Sequence, residues 1–285
     1  MDDTYWHKQA DKPLFEDLVW NKPENRQQAG KLLIIGGNAH EFAAPAEAYS
    51  EAQSAGVGTA KVLLPSALQK IIGAMIENTE FGDSTSTGSF SRKALADWIE
   101  WAHWADGVLL AGDLGRNSET AIVLESFIEK YPGQITITKD AVDYFAASPL
   151  KLLNRENTTI VVSLSQLQKL CQNAKWPAPI TFAMPLVQLV EQLHAITESY
   201  SCNLVTEHNG ILFVAVNGQV STTRAPYPSF SQSDRLLFES RKSTGQANQL
   251  SSTSYLWRVK AAAHAAVWQL QNPNKPFEAL TNSVV

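Results

Sequence analysis

The stretch LLIIGGNAHEFAAPAEA, residues 32–48, decides the fold class of this chain. An apolar run of strand length, 31–35, ends on Gly36 and Gly37 and gives way to helical periodicity from about residue 45 to 54. A strand that passes through glycines into a helix is typical of a parallel α/β sheet. Such glycines let backbone approach a ligand near the helix N-terminus, although a simple tight turn is their more common role.

The same alternation of short apolar strands and amphipathic helices continues along the chain. Further predicted strands are 59–64, 107–111, 134–138, 160–163, 180–183 and 202–206, and helices 66–76, 92–103 and 119–130 lie between some of them. Two Asn-Gly pairs, at 209–210 and 217–218, favour primed turns and predict antiparallel pairing among 204–206, 211–216 and 219–223. The pattern therefore predicts a mainly parallel central sheet with helices on both faces and antiparallel strands at its C-terminal edge.

No linker divides the chain, so residues 1–285 are predicted to form a single domain. Residues 1–27 form an N-terminal lead, and 227–254, rich in Ser, Gln and Pro, is predicted to be an irregular excursion before a helix at 256–270 and a last helix from Pro276. Trp98, Trp101 and Trp104 recur three apart on one helix. A core or partner-facing stripe explains them better than a stacking platform for a ligand.

Composition excludes several classes of function. With 44% apolar and 18% charged residues, the chain has enough apolar side chains for a large core. A net charge of −5 gives no general attraction to nucleic acid or anionic membranes, and no apolar run approaches membrane-helix length. Cys171 and Cys202 lack metal-ligand spacing and are expected to be reduced core thiols. We therefore expect a cytoplasmic protein with a small-molecule ligand and no metal site of its own.

Two further loops follow predicted strands. Gly112, Asp113, Leu114 and Gly115 come after 107–111, and Asp140 comes after 134–138. Ligands of open α/β sheets bind at the carboxyl ends of the strands, so these loops and the 36–37 glycines are expected to face one crevice. Asp140 either contacts a ligand there or caps a helix, which is the commoner role of a lone carboxylate.

These segments resemble the ADP- or ATP-dependent NAD(P)H-hydrate dehydratases, a branch of the ribokinase superfamily. The resemblance rests on AGKLLIIGGN (29–38), AAP (43–45), SAGVG (54–58), DGVLLAGDLG (106–115), KDAVDYF (139–145) and KPFEAL (275–280). It implies a ribokinase-like three-layer sandwich. It also implies a carbon–oxygen lyase that acts on hydrated NADH or NADPH with ADP or ATP and Mg²⁺. Homo-oligomers are common in this superfamily, so a homo-oligomer is an open option.

The resemblance assigns the dinucleotide side of the site to positions that match the family's motifs. These are Gly36, Gly37, Asn38, Ala44, Gly112, Leu114, Gly115 and Asp140. The family's G-[ST]-G-D motif, whose aspartate is the base, aligns with 251–254, which makes Ser252, Thr253 and Ser254 weak nucleotide-binding candidates. A less favoured alignment uses 231–236 and keeps Asp234 as the base.

Three family motifs are altered in this chain. Neither glycine nor aspartate is present at 251–254, VVSLSQ (161–166) replaces the family's T-P-H-P-G-E, and Glu207 lies in place of a Lys-Gly pair. Without the carboxylate there is no evident base, and without the glycines side chains crowd the amides that would hold phosphate. The alternative function is therefore a pseudoenzyme of the same fold that binds a nucleotide or a partner chain.

Overall fold

The computed structural model describes residues 4–10, 12–72, 78–225 and 250–285, with side chains in the last range from residue 257 onward. Ten strands in these ranges form one sheet. They are β1 Trp6–Gln9, β2 Lys31–Gly36, β3 Thr59–Pro65, β4 Thr79–Gly82, β5 Gly107–Gly112, β6 Gln134–Thr138, β7 Thr158–Ser163, β8 Asn203–His208, β9 Ile211–Val216 and β10 Gln219–Arg224.

The helices connect the strands and cover the sheet. They are α1 Glu16–Trp20, α2 Ala43–Ser54, α3 Gln69–Ile72, α4 Ala94–Trp104, α5 Ser118–Lys130, α6 Asp140–Asp143, α7 Leu150–Leu153, α8 Leu164–Asn173, α9 Leu186–Ser199, α10 Leu250–Gln271 and α11 Pro276–Ser283. A short 3₁₀ helix, Ser66–Leu68, precedes α3.

The strand order is β1-β10-β9-β8-β7-β6-β5-β2-β3-β4. From β2, the chain first adds β3 and β4 on one side and then returns to add β5 to β8 on the other, all of them parallel. Strand β9 is antiparallel to both of its neighbours, β8 and β10, and β1 lies parallel to β10 at the edge. The direction of growth reverses between β2 and β5, which is the topological switch point where such sheets bind ligands.

Side chains of β2 explain the layered packing. Leu33 and Ile35 point into the core under α4, α5, α8 and α9, whereas Leu32 and Ile34 point to the face covered by α2, α10 and α11. All four are completely buried, as expected of a parallel strand covered on both faces. The predicted three-layer α/β sandwich with an antiparallel C-terminal edge is therefore confirmed.

Both predicted Asn-Gly turns are also confirmed. Asn209 and Gly210 have φ values of 52° and 76°, and Asn217 and Gly218 have 47° and 76°. Two consecutive left-handed residues define the primed turn that matches the twist of an antiparallel hairpin.

Several predicted elements differ from the structure. The predicted strand 180–183 is wrong, because this segment lies between prolines and forms no ladder. The predicted helix 66–76 is a 3₁₀ turn followed by the short α3, and residues 73–77 lie outside the described part of the chain. The N-terminal lead contains β1 and α1, and β4 was not predicted. In the predicted excursion, 250–254 are helical, whereas 226–249 lie outside the described residues.

The three tryptophans of α4 have separate environments. Trp98 is fully buried, with its ring centroid 5.0 Å from that of Phe90 and 5.4 Å from that of Phe127. Trp101 and Trp104 are half-buried, and the Lys61 ammonium lies 3.9 Å from the Trp101 ring centroid. Trp98 is therefore a core residue, as predicted.

Both cysteines are free and buried, as predicted. Within the described ranges, no helix combines the length and apolar character that a membrane span requires.

Candidate functional site

The loops after β2 and β5 meet at the switch point. Gly36 pairs with Gly112 across a register shift, and the Gly37 N–H donates to the Gly112 carbonyl at 3.0 Å. A Cβ on Gly36 would lie 2.5 Å from the Gly112 oxygen, and one on Gly112, whose φ is 98°, would lie 2.7 Å from the Lys139 Cβ. These two glycines are therefore required by the close packing of the loops on one another, which is the structural role that the sequence left open.

Asp113 lies at the centre of this junction. Its φ is 58° and it is 1% exposed. One carboxylate oxygen accepts from the Ala44 N–H at 2.6 Å, and the other forms a buried ion pair with the Lys139 ammonium. The Asn38 side-chain amide donates to the Asp113 carbonyl at 2.6 Å. Because the N-cap residue of α2 provides no side-chain bond, Asp113 supplies the cap from the neighbouring loop.

Asp140 projects towards the same loop. Its Oδ2 accepts from the Gly115 N–H at 3.0 Å, whereas its buried Oδ1 has no hydrogen-bond partner among the described residues. Burial raises the pKa of Asp140 and the charge of Asp113 raises it further, whereas the backbone N–H groups of Gly115 and Asp113 and the charge of Lys139 oppose the shift. Lys139, rather than Asp140, is the N-cap residue of α6, so the alternative helix-capping role of Asp140 is wrong. A buried carboxyl group with one unpaired oxygen is instead suited to hold a ligand hydroxyl or a proton.

Tyr144 fixes the outer end of the 112–115 loop. Its hydroxyl donates to the Gly115 carbonyl at 2.6 Å and accepts from the Asn117 N–H at 3.2 Å. The Asn117 side chain in turn caps α5 by accepting from the Glu119 and Thr120 amides. This chain of bonds holds the Gly115 N–H in position for Asp140.

The loop after β7 joins the site through Gln166. Ser163 and Gln166 form a capping box at the start of α8. The Gln166 side-chain amide donates to the Lys139 carbonyl at 2.8 Å, and its oxygen accepts from the Arg258 guanidinium at 2.8 Å. Helix α10 is thereby tied to the backbone that carries Asp140.

Glu207, at the end of β8, has a local role. Its carboxylate accepts from the Gly210 N–H at 2.8 Å and so closes the hairpin turn.

The structure brings most of the predicted site residues to one edge of the sheet. Gly36, Gly37, Asn38, Ala44, Gly112, Gly115 and Asp140 all lie there, and Leu114 is fully buried in the core beneath them. The side chains of Ser252, Thr253 and Ser254 and the whole of Asp234 lie outside the described residues. Sequence reasoning missed Lys139 and Arg258, because their roles depend on partners far along the chain.

Several backbone amides that could hold a phosphate at this edge are already engaged within the protein. Three of the helices that begin at this edge are capped by the chain itself: α2 by Asp113, α5 by Asn117 and α8 by Ser163. The short α6 has no side-chain cap. Within the described ranges, no three His, Cys, Asp or Glu residues are grouped as metal ligands would be. The N-termini of α2, α5 and α8 are therefore already occupied by side chains of this chain.

Comparison with solved structures identifies the fold. A ribokinase-like superfamily protein from Enterococcus faecalis V583 is similar over 100% of this chain and 86% of its own, with a TM-score of 0.68 and 14% identity. This chain has a ribokinase-like fold. A hypothetical protein from Streptococcus mutans is similar over 100% of this chain and 87% of its own, with a TM-score of 0.66 and 14% identity.

The ADP/ATP-dependent NAD(P)H-hydrate dehydratase from Bacillus subtilis, crystallised with ATP and Mg²⁺ and soaked with CoA, shares the same fold. The match covers 96% of this chain and 86% of the Bacillus subtilis chain, with a TM-score of 0.57 and 11% identity. No protein-family model and no curated protein matches the sequence. The similarities therefore show the fold alone.

Proposed function

We propose that this chain is an NAD(P)H-hydrate dehydratase-like protein that binds a nucleotide or dinucleotide between β2 and β5. We call the residues Asn38, Asp113, Gly115, Lys139 and Asp140 the switch-point site. The observation that carries the proposal is the partly exposed carboxyl group of Asp140 at the topological switch point, which is raised in pKa by burial and by Asp113. In dinucleotide-binding α/β proteins, a carboxylate near this crevice accepts a hydrogen bond from a ribose hydroxyl.

The charges of the site indicate which part of the ligand it holds. The Lys139 ammonium is paired with Asp113, and the Ala44 amide is occupied by the same carboxylate. A phosphate placed here would displace an internal ion pair, whereas a ribose hydroxyl or a nicotinamide ring would not. We therefore assign the sugar-and-base part of the ligand to the switch-point site.

The second candidate is a pseudoenzyme that binds without turnover. It is favoured by the capping box of Ser163 and Gln166, which engages both side chains within the protein at the end of β7. If the protein is catalytic, we propose that it uses ADP or ATP with Mg²⁺. Under both candidates, residues 1–285 form one domain of a cytoplasmic protein. Light scattering tests whether this protein is a homo-oligomer.

The test combines turnover with binding. Pure protein is incubated with hydrated NADH, Mg²⁺ and either ADP or ATP while recovery of NADH absorbance is followed, and melting curves are recorded with each ligand alone. We expect a dinucleotide to raise the melting temperature, and Asp140→Asn to reduce that shift. The exposed Asp17, changed to Asn, is the matched control.

The outcomes separate the candidates. Turnover that Asp234→Asn abolishes would establish the enzyme and the alignment with residues 231–236. A dinucleotide shift without turnover supports the pseudoenzyme. If no nucleotide or dinucleotide shifts the melting curve, the proposal is wrong.

A further inference from the structure

A cavity lies at the opposite edge of the sheet. It occupies about 1310 Å³ at the amino ends of β5 to β8, and it is bounded by the C-terminal ends of α9 and α10. None of the switch-point residues lines it. It is therefore separate from the candidate site described above.

Two buried amides form the floor of this cavity. Thr159, fully buried between them, donates its hydroxyl to the Gln269 oxygen at 2.8 Å and accepts from the Asn203 amide at 3.2 Å. Gln269 and Asn203 are only 5% and 7% exposed, and both line the cavity. The remaining polar atoms, Gln269 Nε2 and Asn203 Oδ1, are not engaged by Thr159 and are available at the cavity floor.

This arrangement is a fixed pair of one donor and one acceptor. Thr159 sets the orientation of both amides, so the donor and the acceptor are held ready rather than free to rotate. A ligand that both accepts from Gln269 Nε2 and donates to Asn203 Oδ1 can replace water at both atoms without rearranging the side chains. The floor therefore favours a ligand that both donates and accepts hydrogen bonds.

The rim gives the cavity a negative charge. Asp106, Glu156 and Glu198 line it, and no lysine or arginine does. The C-terminal ends of α9 and α10 add the negative ends of two helix dipoles.

Nearby basic groups are already engaged or lie at the margin. The Arg155 guanidinium donates to the carbonyls of Tyr131, Gly133 and Glu156. The His194 ring lies 3.5 Å from the Glu198 carboxylate. Anions are thus disfavoured in the cavity and cations are favoured.

We infer that this cavity is a second ligand site for a small organic cation that also carries hydroxyl groups, of the amino-sugar or amino-alcohol class. The ammonium group faces the rim carboxylates and donates to Asn203 Oδ1. A hydroxyl oxygen accepts from Gln269 Nε2. The site is independent of the proposed function at the switch point.

The experiment compares three probes by calorimetric titration of the whole chain. Glucosamine carries both a cation and hydroxyls, glucose carries hydroxyls alone, and spermidine carries cations alone. We expect glucosamine to bind, spermidine to bind more weakly and glucose not to bind. Added salt should weaken glucosamine binding, because the rim carboxylates are exposed.

Variants test the rim and the floor separately. Glu156→Gln and Glu198→Gln should each weaken glucosamine binding by roughly two- to fivefold. Glu100→Gln, an exposed charge change outside the cavity, should leave binding unchanged. Gln269→Met should abolish binding while the melting curve shows that the protein remains folded. Equal binding of glucose and glucosamine, an absence of glucosamine binding, or binding unaffected by the two rim variants would overturn the inference.

Discussion

The ion pair of Lys139 with Asp113 provides a sharp test of how the switch-point site is built. Lys139→Met keeps the unbranched stem and adds no new strain at φ 55°, but it removes the ammonium group. The Asp113 carboxylate, whose side chain is 0% exposed, then loses the ammonium group of its ion pair. Breaking a buried pair in this way costs about 3–5 kcal/mol in the free energy of unfolding.

A double variant separates the charge effect from simple loss of packing. In Asp113→Asn/Lys139→Met neither charge of the ion pair remains, and the new Asn side-chain oxygen can still accept from the Ala44 N–H. We expect this protein to recover most of the lost free energy, because a neutral polar pair avoids the desolvation of a lone carboxylate. Urea unfolding followed by circular dichroism measures both variants. A loss below about 1 kcal/mol in Lys139→Met, or a double variant no more stable than the single one, would refute this reasoning.

Three further predictions concern single residues. Because burial and then the charge of Asp113 raise the pKa of Asp140, its ionisation opposes folding. Asp140→Asn should therefore gain stability over the wild type as the pH rises from about 4, and a pH series of urea midpoints that shows no such gain would contradict this. Gly112→Ala should lower stability by about 1–3 kcal/mol, since φ is 98° and the new Cβ would meet Lys139, and an unchanged melting temperature would show that the loops relax freely. Burial raises the pKa of the Cys171 and Cys202 thiols to about 12, so a disulfide reagent at pH 8 should label neither before unfolding, and labelling of the native protein would contradict their buried placement.

Local signals in the sequence predicted the elements that depend on neighbouring residues. The two Asn-Gly turns need only two adjacent left-handed residues, and both were predicted correctly. Strand β1 was missed because its partner, β10, lies more than 200 residues away: Trp6 pairs with Val220. The segment 180–183 was misjudged because apolar Ile180 and Phe182, two residues apart, resemble one face of a strand, although only Ile180 is buried and the segment forms no ladder.

The residues of the candidate site also divide into those that local sequence predicts and those that depend on distant partners. The glycine loops and Asp140 were predicted because each follows an apolar strand, and parallel strands bring their carboxyl ends to one edge. The pairing of Lys139 with Asp113 was not predictable, because it depends on two loops on neighbouring strands coming into register. The links from Lys139 through Gln166 to Arg258 span still greater sequence separations and appear only in the folded chain.

The central claim is that the carboxyl group of Asp140 contacts a nucleotide-type ligand at the switch point. Calorimetric titration of hydrated NADH and NADH into the wild type, Asp140→Asn and Asp17→Asn tests it most directly. We predict measurable binding to the wild type and to Asp17→Asn, with binding to Asp140→Asn weaker by roughly tenfold, because a hydrogen bond to a charged group is replaced by a neutral one. Equal affinity of Asp140→Asn and wild type, or no binding to any of the three, would contradict the account.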